Sequence, residues 1–255
     1  MRMYKHFSDE RRKKMVQMVN ERGSYSITEL AKYFSVTTET IRKDIICLEK
    51  RKELCKAYGG VVSVNSVSES PMRLRNNENI DLKERIALKA NDYVQENQVI
   101  LIDSGSTTLA FVKNMTNYNK NTIITNSIPA VMALAEKGAQ PILIGGTYSQ
   151  NTLATSGMVA TQALEIIKAD IAFLGASGFQ LASGPSAKDF CDVQIKKDMI
   201  RNSRRRIILA DSTKLTTDTF IRFADWSEVD VLITDSGVSP EVAEQLSKYV
   251  EVVQA

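Results

Sequence analysis

Residues 99–108 read Val99-Ile-Leu-Ile-Asp103-Ser-Gly-Ser-Thr-Thr108. The apolar run does not alternate, as expected of a strand buried on both faces of a parallel sheet. It stops at an acid, turns through Gly105 and opens onto hydroxyl residues and a helical stretch, Leu109 to Met115. The pattern recurs down the chain. Strand Thr122–Thr125 ends in Asn126-Ser127 before a helix from Pro129 to Lys137, and strand Pro141–Ile144 ends in Gly145-Gly146. A helix near Thr161–Lys168 leads to strand Asp170–Leu174 and Gly175-Ala-Ser-Gly178. Helix Phe190–Asn202 leads to strand Arg206–Ala210 and Asp211-Ser-Thr-Lys214, and Val229–Thr234 precedes a closing helix. With a helix at Asp81–Val94 in front, these alternations predict an α/β fold, a doubly wound, largely parallel, Rossmann-like sheet over residues 76–255.

In such sheets ligands sit outside the carboxyl ends of the strands. Asp103, Ser104, Gly105, Ser106, Thr107 and Thr108 therefore form a candidate cradle. Helix-start amides with added hydroxyls favour a phosphate. The loop is neither a Walker loop nor a dinucleotide fingerprint, and an ordinary strand–turn–helix junction with a Thr cap explains it equally well. Lys214 and Asp211 add a cation and an anion at another strand end, and Asn126 and Ser127 add neutral polar groups. One phosphate and several hydroxyls suit this mix, so a sugar phosphate is the expected ligand class. The alternatives are that Asp211–Lys214 is a surface pair and that Asn126 caps a helix.

Working outward to the N-terminus, the composition changes. The chain has 255 residues, 33 Lys+Arg and 30 Asp+Glu, a net charge of +3. Residues 1–60 hold 14 Lys+Arg and 8 Asp+Glu, whereas the remainder is slightly acidic. A basic module suggests a polyanionic partner, nucleic acid first. Asp9–Glu21 reads as an amphipathic helix capped by Ser8, with Gly23 past its end. Ile27–Phe34 is a second helix, and Thr37 opens a third that runs to Lys50 with Ile41, Ile45 and Leu48 in one stripe. Only Ser35 and Val36 separate the last two, so they form a helix-turn-helix. Glu53 to Val62 then reads as a hairpin with a glycine turn, a wing. Thr37, Thr38, Thr40, Arg42 and Lys43 near the start of the third helix are the candidate base and phosphate contacts. Lys56, Tyr58 and Gly59 are the candidates on the wing. Residues 1–60 are expected to be this winged helix-turn-helix domain and 61–75, with Pro71, a linker.

Composition excludes other classes. No stretch approaches the length of a membrane helix, and the opening MRMYKHFSDERRKK lacks a secretory apolar run. Three cysteines, Cys47, Cys55 and Cys191, are too few and scattered for a disulfide framework or zinc site; they are expected to be buried small hydrophobes in a reducing cytoplasm. The single histidine, His6, argues against Ser–His or Cys–His catalysis and His-ligated metal. No catalytic residue, cofactor or metal is assigned.

Glu29 to Ile45, with Thr40-Ile-Arg-Lys-Asp-Ile45 at its end, then Leu48-Glu49 and Tyr58-Gly-Gly60, resembles the winged helix of DeoR-type bacterial transcription regulators. Lys43 stands where that family has a second Arg, Lys52 where it has Gly and Tyr58 where it has His. The resemblance continues through Arg75, Asn79 and Lys83, Asp103 to Thr108, Thr125-Asn-Ser127, Gly145-Gly146, Phe173-Leu-Gly175 and Leu209 to Lys214. It implies an effector domain similar in fold to ribose-5-phosphate isomerase that takes a phosphorylated sugar. Asp103, Gly105, Ser106, Thr107, Thr108, Asn126, Ser127 and Lys214 would contact that sugar, with Gly146 and Asp192 near the same pocket. Asp192 replaces the family's Glu, and Gly184-Pro-Ser-Ala187 replaces Gly-Leu-Thr-Thr. The reading is a homo-oligomeric regulator of operator DNA, a repressor of a sugar-catabolism operon released by a phosphorylated sugar. The alternative is a sugar-phosphate isomerase with an accessory DNA-binding head; Asp103, Asp192, Asp211 and Lys214 would supply its acid and base.

Overall fold

The capping chemistry of the N-terminal third explains its helices. In the computed structural model, which describes residues 2–22, 24–51, 53–57, 60–63, 71–216 and 221–255, the chain divides into two units, Met1–Glu69 and Ser70–Ala255. The first unit runs α1 (Arg2–Arg22), β1 (Ser24–Ser26), α2 (Ile27–Tyr33), α3 (Thr38–Lys50), β2 (Leu54–Ala57) and β3 (Gly60–Ser63). α2 starts with a capping box: the Glu29 amide donates to the Ser26 hydroxyl at 3.1 Å, and the Ser26 amide donates to the Glu29 carboxylate at 2.8 Å. It ends where Ser35 takes a left-handed φ of 53°, which lets the Val36 amide reach the Ala31 carbonyl at 3.0 Å. Thr37 caps α3, its hydroxyl accepting from the Thr40 amide at 3.2 Å. Met15, Val19, Leu30, Ile41, Ile45, Leu48, Leu54 and Val61 form the core.

The wing is a three-stranded antiparallel sheet in the order β1-β3-β2, one strand larger than the expected hairpin. β1 is too short to carry a period. Gly60 is required there, because a Cβ would sit 2.4 Å from the Tyr25 carbonyl oxygen. Other boundaries also move. α1 begins at Arg2, so Ser8 lies within it and is not its cap. β3 carries the head's sheet to Ser63, and α4 (Met72–Arg75) follows Pro71 with Met72 in the second unit's core. The stretch expected as a linker, 61–75, is thus ordered structure at both ends. Gly23, Tyr58 and Gly59 lie outside the described residues, as does the side chain of Lys56 on β2.

The second unit continues with α5 (Ile80–Ala90), β4 (Val99–Ile102), α6 (Ser106–Asn114), β5 (Thr122–Thr125), α7 (Ile128–Glu136) and β6 (Ile142–Leu143). A hairpin of β7 (Thr147–Ser149) and β8 (Ala154–Ser156) precedes α8 (Met158–Glu165) and β9 (Ala169–Gly175). Next come β10 (Gly178–Gln180), β11 (Gly184–Ala187), α9 (Phe190–Arg201), β12 (Ser203–Leu209), β13 (Ile221–Arg222), β14 (Val231–Thr234), α10 (Pro240–Leu246) and β15 (Glu251–Gln254). The main sheet has seven strands in the order β15-β14-β12-β9-β4-β5-β6, and every pairing is parallel. Alternate residues of each central strand feed opposite cores. Leu101, Ala172, Leu174 and Ile208 face α8, α9 and α10, whereas Ile100, Ile102, Phe173 and Ile207 face α5, α6 and α7. Six strands are as expected; the seventh, β15, is a short edge strand with no apolar run to announce it. After β4 the chain winds one way to β5 and β6, then returns to β9 and winds the other way. The topological switch therefore lies between β4 and β9.

Candidate functional site

The head presents α3. Its buried side holds Ile41, Asp44, Ile45 and Leu48, which leaves Arg42 and Lys43 exposed and Thr38 and Thr40 half-buried. Among the described residues Arg42 pairs with Glu39 one turn away, at 3.6 Å between exposed groups, a pairing worth little in water. Thr37 and Thr40 share a hydroxyl hydrogen bond of 2.9 Å, so one proton of the pair stays available to an acceptor. Hydroxyls, exposed cations and a helix N-terminus on one surface are the groups that hold phosphates and reach base edges.

In the second unit the strand ends build three clusters. The first lies at the switch. Asp103, fully buried, follows β4; its Oδ2 accepts from the Gly175 amide at 3.1 Å and is ion-paired with Lys196. Lys196, on α9 and 2% exposed, also donates to the Gly175 carbonyl at 3.0 Å and stands 3.6 Å from Asp192 one turn earlier. Gly105 next to it is extended, with φ −171°, so it is not there for a left-handed turn. What crowds a Cβ at that position is the Thr108 hydroxyl, 3.1 Å away. Thr108 itself is fully buried and donates to the carbonyls of Asp103 and Gly105, at 2.8 and 3.0 Å. Its single proton closes the loop. Ser104 and Thr107 are buried and Ser106 is half-buried. No side chain caps α6, so its first amides point outward.

The second cluster is at the end of β12. Asp211, fully buried, accepts from the Thr213 amide at 3.2 Å and from Asn79 at 3.5 Å. Burial pushes the Lys83 ammonium below the usual lysine range; Asp211 pulls it back, and Lys214 and Arg75 depress it further. Lys83 donates to the carbonyls of Arg75 and Glu78 and lines a groove with Asn76 and Ser106 at the start of α6. Lys214 is half-buried, and no Asp211–Lys214 surface pair forms, since Asp211 is inside. The third cluster, at the end of β5, serves the backbone. Asn126 donates to the Thr155 carbonyl at 3.0 Å, and Ser127 caps α7 by accepting from the Ala130 amide at 3.3 Å. Gly146 has φ 142° and would push a Cβ to 2.4 Å from the Ser156 carbonyl oxygen, so it serves the β7–β8 hairpin.

Three buried acceptors at these strand ends have no hydrogen-bond partner among the described residues: Asp103 Oδ1, Asn126 Oδ1 and Asp211 Oδ2. Buried oxygens are normally paired, so this rim is short of donors. Two strand spacings separate the ends of β4 and β12, about 10 Å. Sequence reasoning missed Lys196. Its signal was its phase, on the buried stripe of α9 with Val193, Met199 and Ile200. Elsewhere Arg206 is bidentate to Asp230 at 2.8 and 3.0 Å. Cys47 is half-buried and Cys191 exposed, against the expectation that all three cysteines are buried; the side chain of Cys55 lies outside the described residues.

A DeoR-like helix-turn-helix domain matches residues 11–67, and a DeoR C terminal sensor domain matches residues 78–236. This chain belongs to the DeoR family. It is a DNA-binding transcriptional regulator, and both matched domains are those of a regulator rather than an enzyme. The uncharacterized HTH-type transcriptional regulator YulB of Bacillus subtilis is 36% identical, over 91% of this chain and 90% of its own. The L-fucose operon activator of Haemophilus influenzae is 30% identical, over 93% and 94%. The glycerol-3-phosphate regulon repressor of Escherichia coli K12 is 26% identical, over 94% and 96%. Among solved structures, a ribose 5-phosphate isomerase A from Methanocaldococcus jannaschii aligns over 55% of this chain and 56% of its own, with 23% identity and TM-score 0.42. Among the described residues of this DeoR-family chain, no helix is long and apolar enough to cross a membrane, and no group of acids, His and Cys is arranged to hold a metal ion.

Proposed function

We propose that this regulator binds operator DNA as a homo-oligomer, represses a sugar-catabolism operon, and is released by a phosphorylated sugar held at the β4–β9 switch. The observation that carries the reading is the rim itself. A buried Asp103–Lys196 pair lies beside an uncapped helix N-terminus, and buried acceptor oxygens at the ends of β4, β5 and β12 have no partner among the described residues. Sugar hydroxyls donate to such oxygens. A phosphate takes the outward amides of α6, with Lys83 lining the adjoining groove and Lys214 close enough to act on its charge. In this arrangement Asp103, Ser106, Asp192, Lys196, Asp211 and Lys214 meet the ligand. Thr108, Ser127 and Gly146 support it through the backbone. In the head, Thr37, Thr38, Thr40, Arg42 and Lys43 contact DNA from α3, with Lys56, Tyr58 and Gly59 on the wing.

Names of relatives agree with a carbohydrate theme, one an L-fucose operon activator and another a glycerol-3-phosphate regulon repressor. The test is a gel-shift assay on the DNA upstream of the gene and its neighbours, repeated with a panel of phosphorylated sugars and the corresponding free sugars. One phosphorylated sugar should release the complex where its free sugar does not. Release by no member of the panel, from a protein that does bind the DNA, overturns the effector assignment.

A further inference from the structure

Inside the head, a carboxylate occupies a position that packing would give to an apolar residue. The buried stripe of α3 is Ile41, Asp44, Ile45 and Leu48, and Asp44 is 1% exposed. From α1, the Arg11 Nε donates to Asp44 Oδ2 at 2.6 Å and the Arg12 Nε to Asp44 Oδ1 at 2.7 Å. Both arginines lie one turn ahead of Met15 on the side of α1 that enters the core, and their side chains are only 18% and 21% exposed. Each carboxylate oxygen is thus held by its own guanidinium. Apolar contacts alone permit a helix to roll about its axis, because Ile and Leu pack in many orientations. A carboxylate gripped at both oxygens does not roll, since turning α3 would strip a buried charge of a partner, and that is expensive. Arg42 and Lys43 are the two residues immediately before Asp44 on the same helix, and both are exposed.

We infer that Asp44 is a positioning residue for DNA reading: clamped by Arg11 and Arg12, it sets the rotation of α3 and so aims the exposed side chains of that helix at the base edges. The clamp concerns discrimination between sequences, not the strength of attachment to the phosphate backbone. It also explains the buried charge. A well-packed apolar replacement of a buried ion triad is often neutral or stabilising, so stability alone does not require these three residues.

The experiment uses the full-length protein, a duplex selected by it from a random pool, and a scrambled duplex of equal length and composition. Affinity for both is measured at one fixed salt concentration. The readout is the ratio of the two affinities, because loss of a phosphate-neutralising charge lowers both and cancels. In Asp44→Asn the ratio should fall by about tenfold or more, while the scrambled duplex binds as well as before or better. A triple variant, Arg11→Met with Arg12→Met and Asp44→Leu, should keep the helical circular dichroism and melting point of the unmodified protein and lose the ratio as well. Should the triple variant fail to fold, Arg11→Lys with Arg12→Lys decides, since it keeps the charge and removes the planar grip; a reduced ratio supports the clamp. An unchanged ratio in any folded member of the series overturns it.

Discussion

A lysine with 2% exposure has to be held by what surrounds it, and Lys196 is held by Asp103, the Gly175 carbonyl and, at longer range, Asp192. Lys196→Met alone leaves Asp103 buried without its cation, a loss of about 3–5 kcal/mol. Adding Asp103→Asn removes the orphaned charge and should restore most of that stability in urea unfolding. If the proposed phosphorylated sugar binds at this rim, the double variant should nevertheless lose its response to it, because the donor-poor rim no longer carries its charged pair. A double variant that responds as the unmodified protein does would reduce the pair to a structural device. Asp235 offers a test by pH. Burial alone would raise its pKa; the Ser212 and Gly237 amides and the Ser212 hydroxyl outweigh burial and hold the carboxyl below the usual range. Because the folded value is the lower one, its stabilisation is present above about pH 4 and lost as pH falls through the depressed value. Asp235→Asn should therefore be less stable at neutral pH by about 1–3 kcal/mol, and its melting curve should converge on that of the unmodified protein in acid. Parallel acid limbs would mean that Asp235 is not the group lost there. At this scale the sequence was legible in one respect and opaque in another. Asp103 and Asp211 were readable because an acid at a strand end interrupts an apolar run. Asp44 and Lys83 entered only among the residues that carry the family resemblance, with no role assigned, and Lys196 did not enter at all, because a charged residue inside a helix looks solvated until its phase is checked. All three sit on buried stripes, of α3, α5 and α9.

Elements carry the second kind of prediction, where the backbone decides. Ser35 has a left-handed φ of 53° at the turn between α2 and α3, a conformation that strains a residue with a Cβ by roughly 1 kcal/mol. Ser35→Gly removes that strain, and the freer unfolded chain takes part of the gain back, so a net stabilisation of about 0.5 kcal/mol is expected in thermal unfolding of the head. Gly60→Ala is the contrast. Its Cβ would meet the Tyr25 carbonyl oxygen at 2.4 Å, which parts β1 from β3, so both head stability and operator affinity should fall. If Gly60→Ala binds operator normally, the three-stranded arrangement of the wing is dispensable for DNA binding. The strand–helix alternation announced six of the seven strands of the main sheet, since short continuous apolar runs bounded by turn residues suit strands buried on both faces. β1, β10, β13 and β15 were invisible because they are short pieces whose pairing is imposed by neighbours: β1 against β3, and β15 against the edge of β14. The head's helices were legible from caps and stripes, apart from the start of α1, where a polar run carries no boundary signal.

For the whole molecule, the consequence to test is thermodynamic linkage. The chain has a DNA-reading unit and a sensor unit, and an effector alters operator affinity only through different affinities for the DNA-bound and free protein. The coupling must then be reciprocal: if a sugar phosphate weakens operator binding by some factor, saturating operator DNA weakens sugar-phosphate binding by the same factor. Titration calorimetry of the sugar phosphate, with and without an excess of the selected duplex, measures one side of that cycle, and operator titrations with and without the sugar phosphate measure the other. Typical coupling is about 1–3 kcal/mol, a change of about 5- to 150-fold in either affinity. The two sides are expected to agree within error, and Lys196→Met with Asp103→Asn should abolish both together while leaving operator affinity in the absence of sugar as it was. Gel-shift release without a matching change in calorimetric affinity would break the cycle. The sugar would then be acting on something other than this equilibrium, such as aggregation of the protein or competition for the duplex.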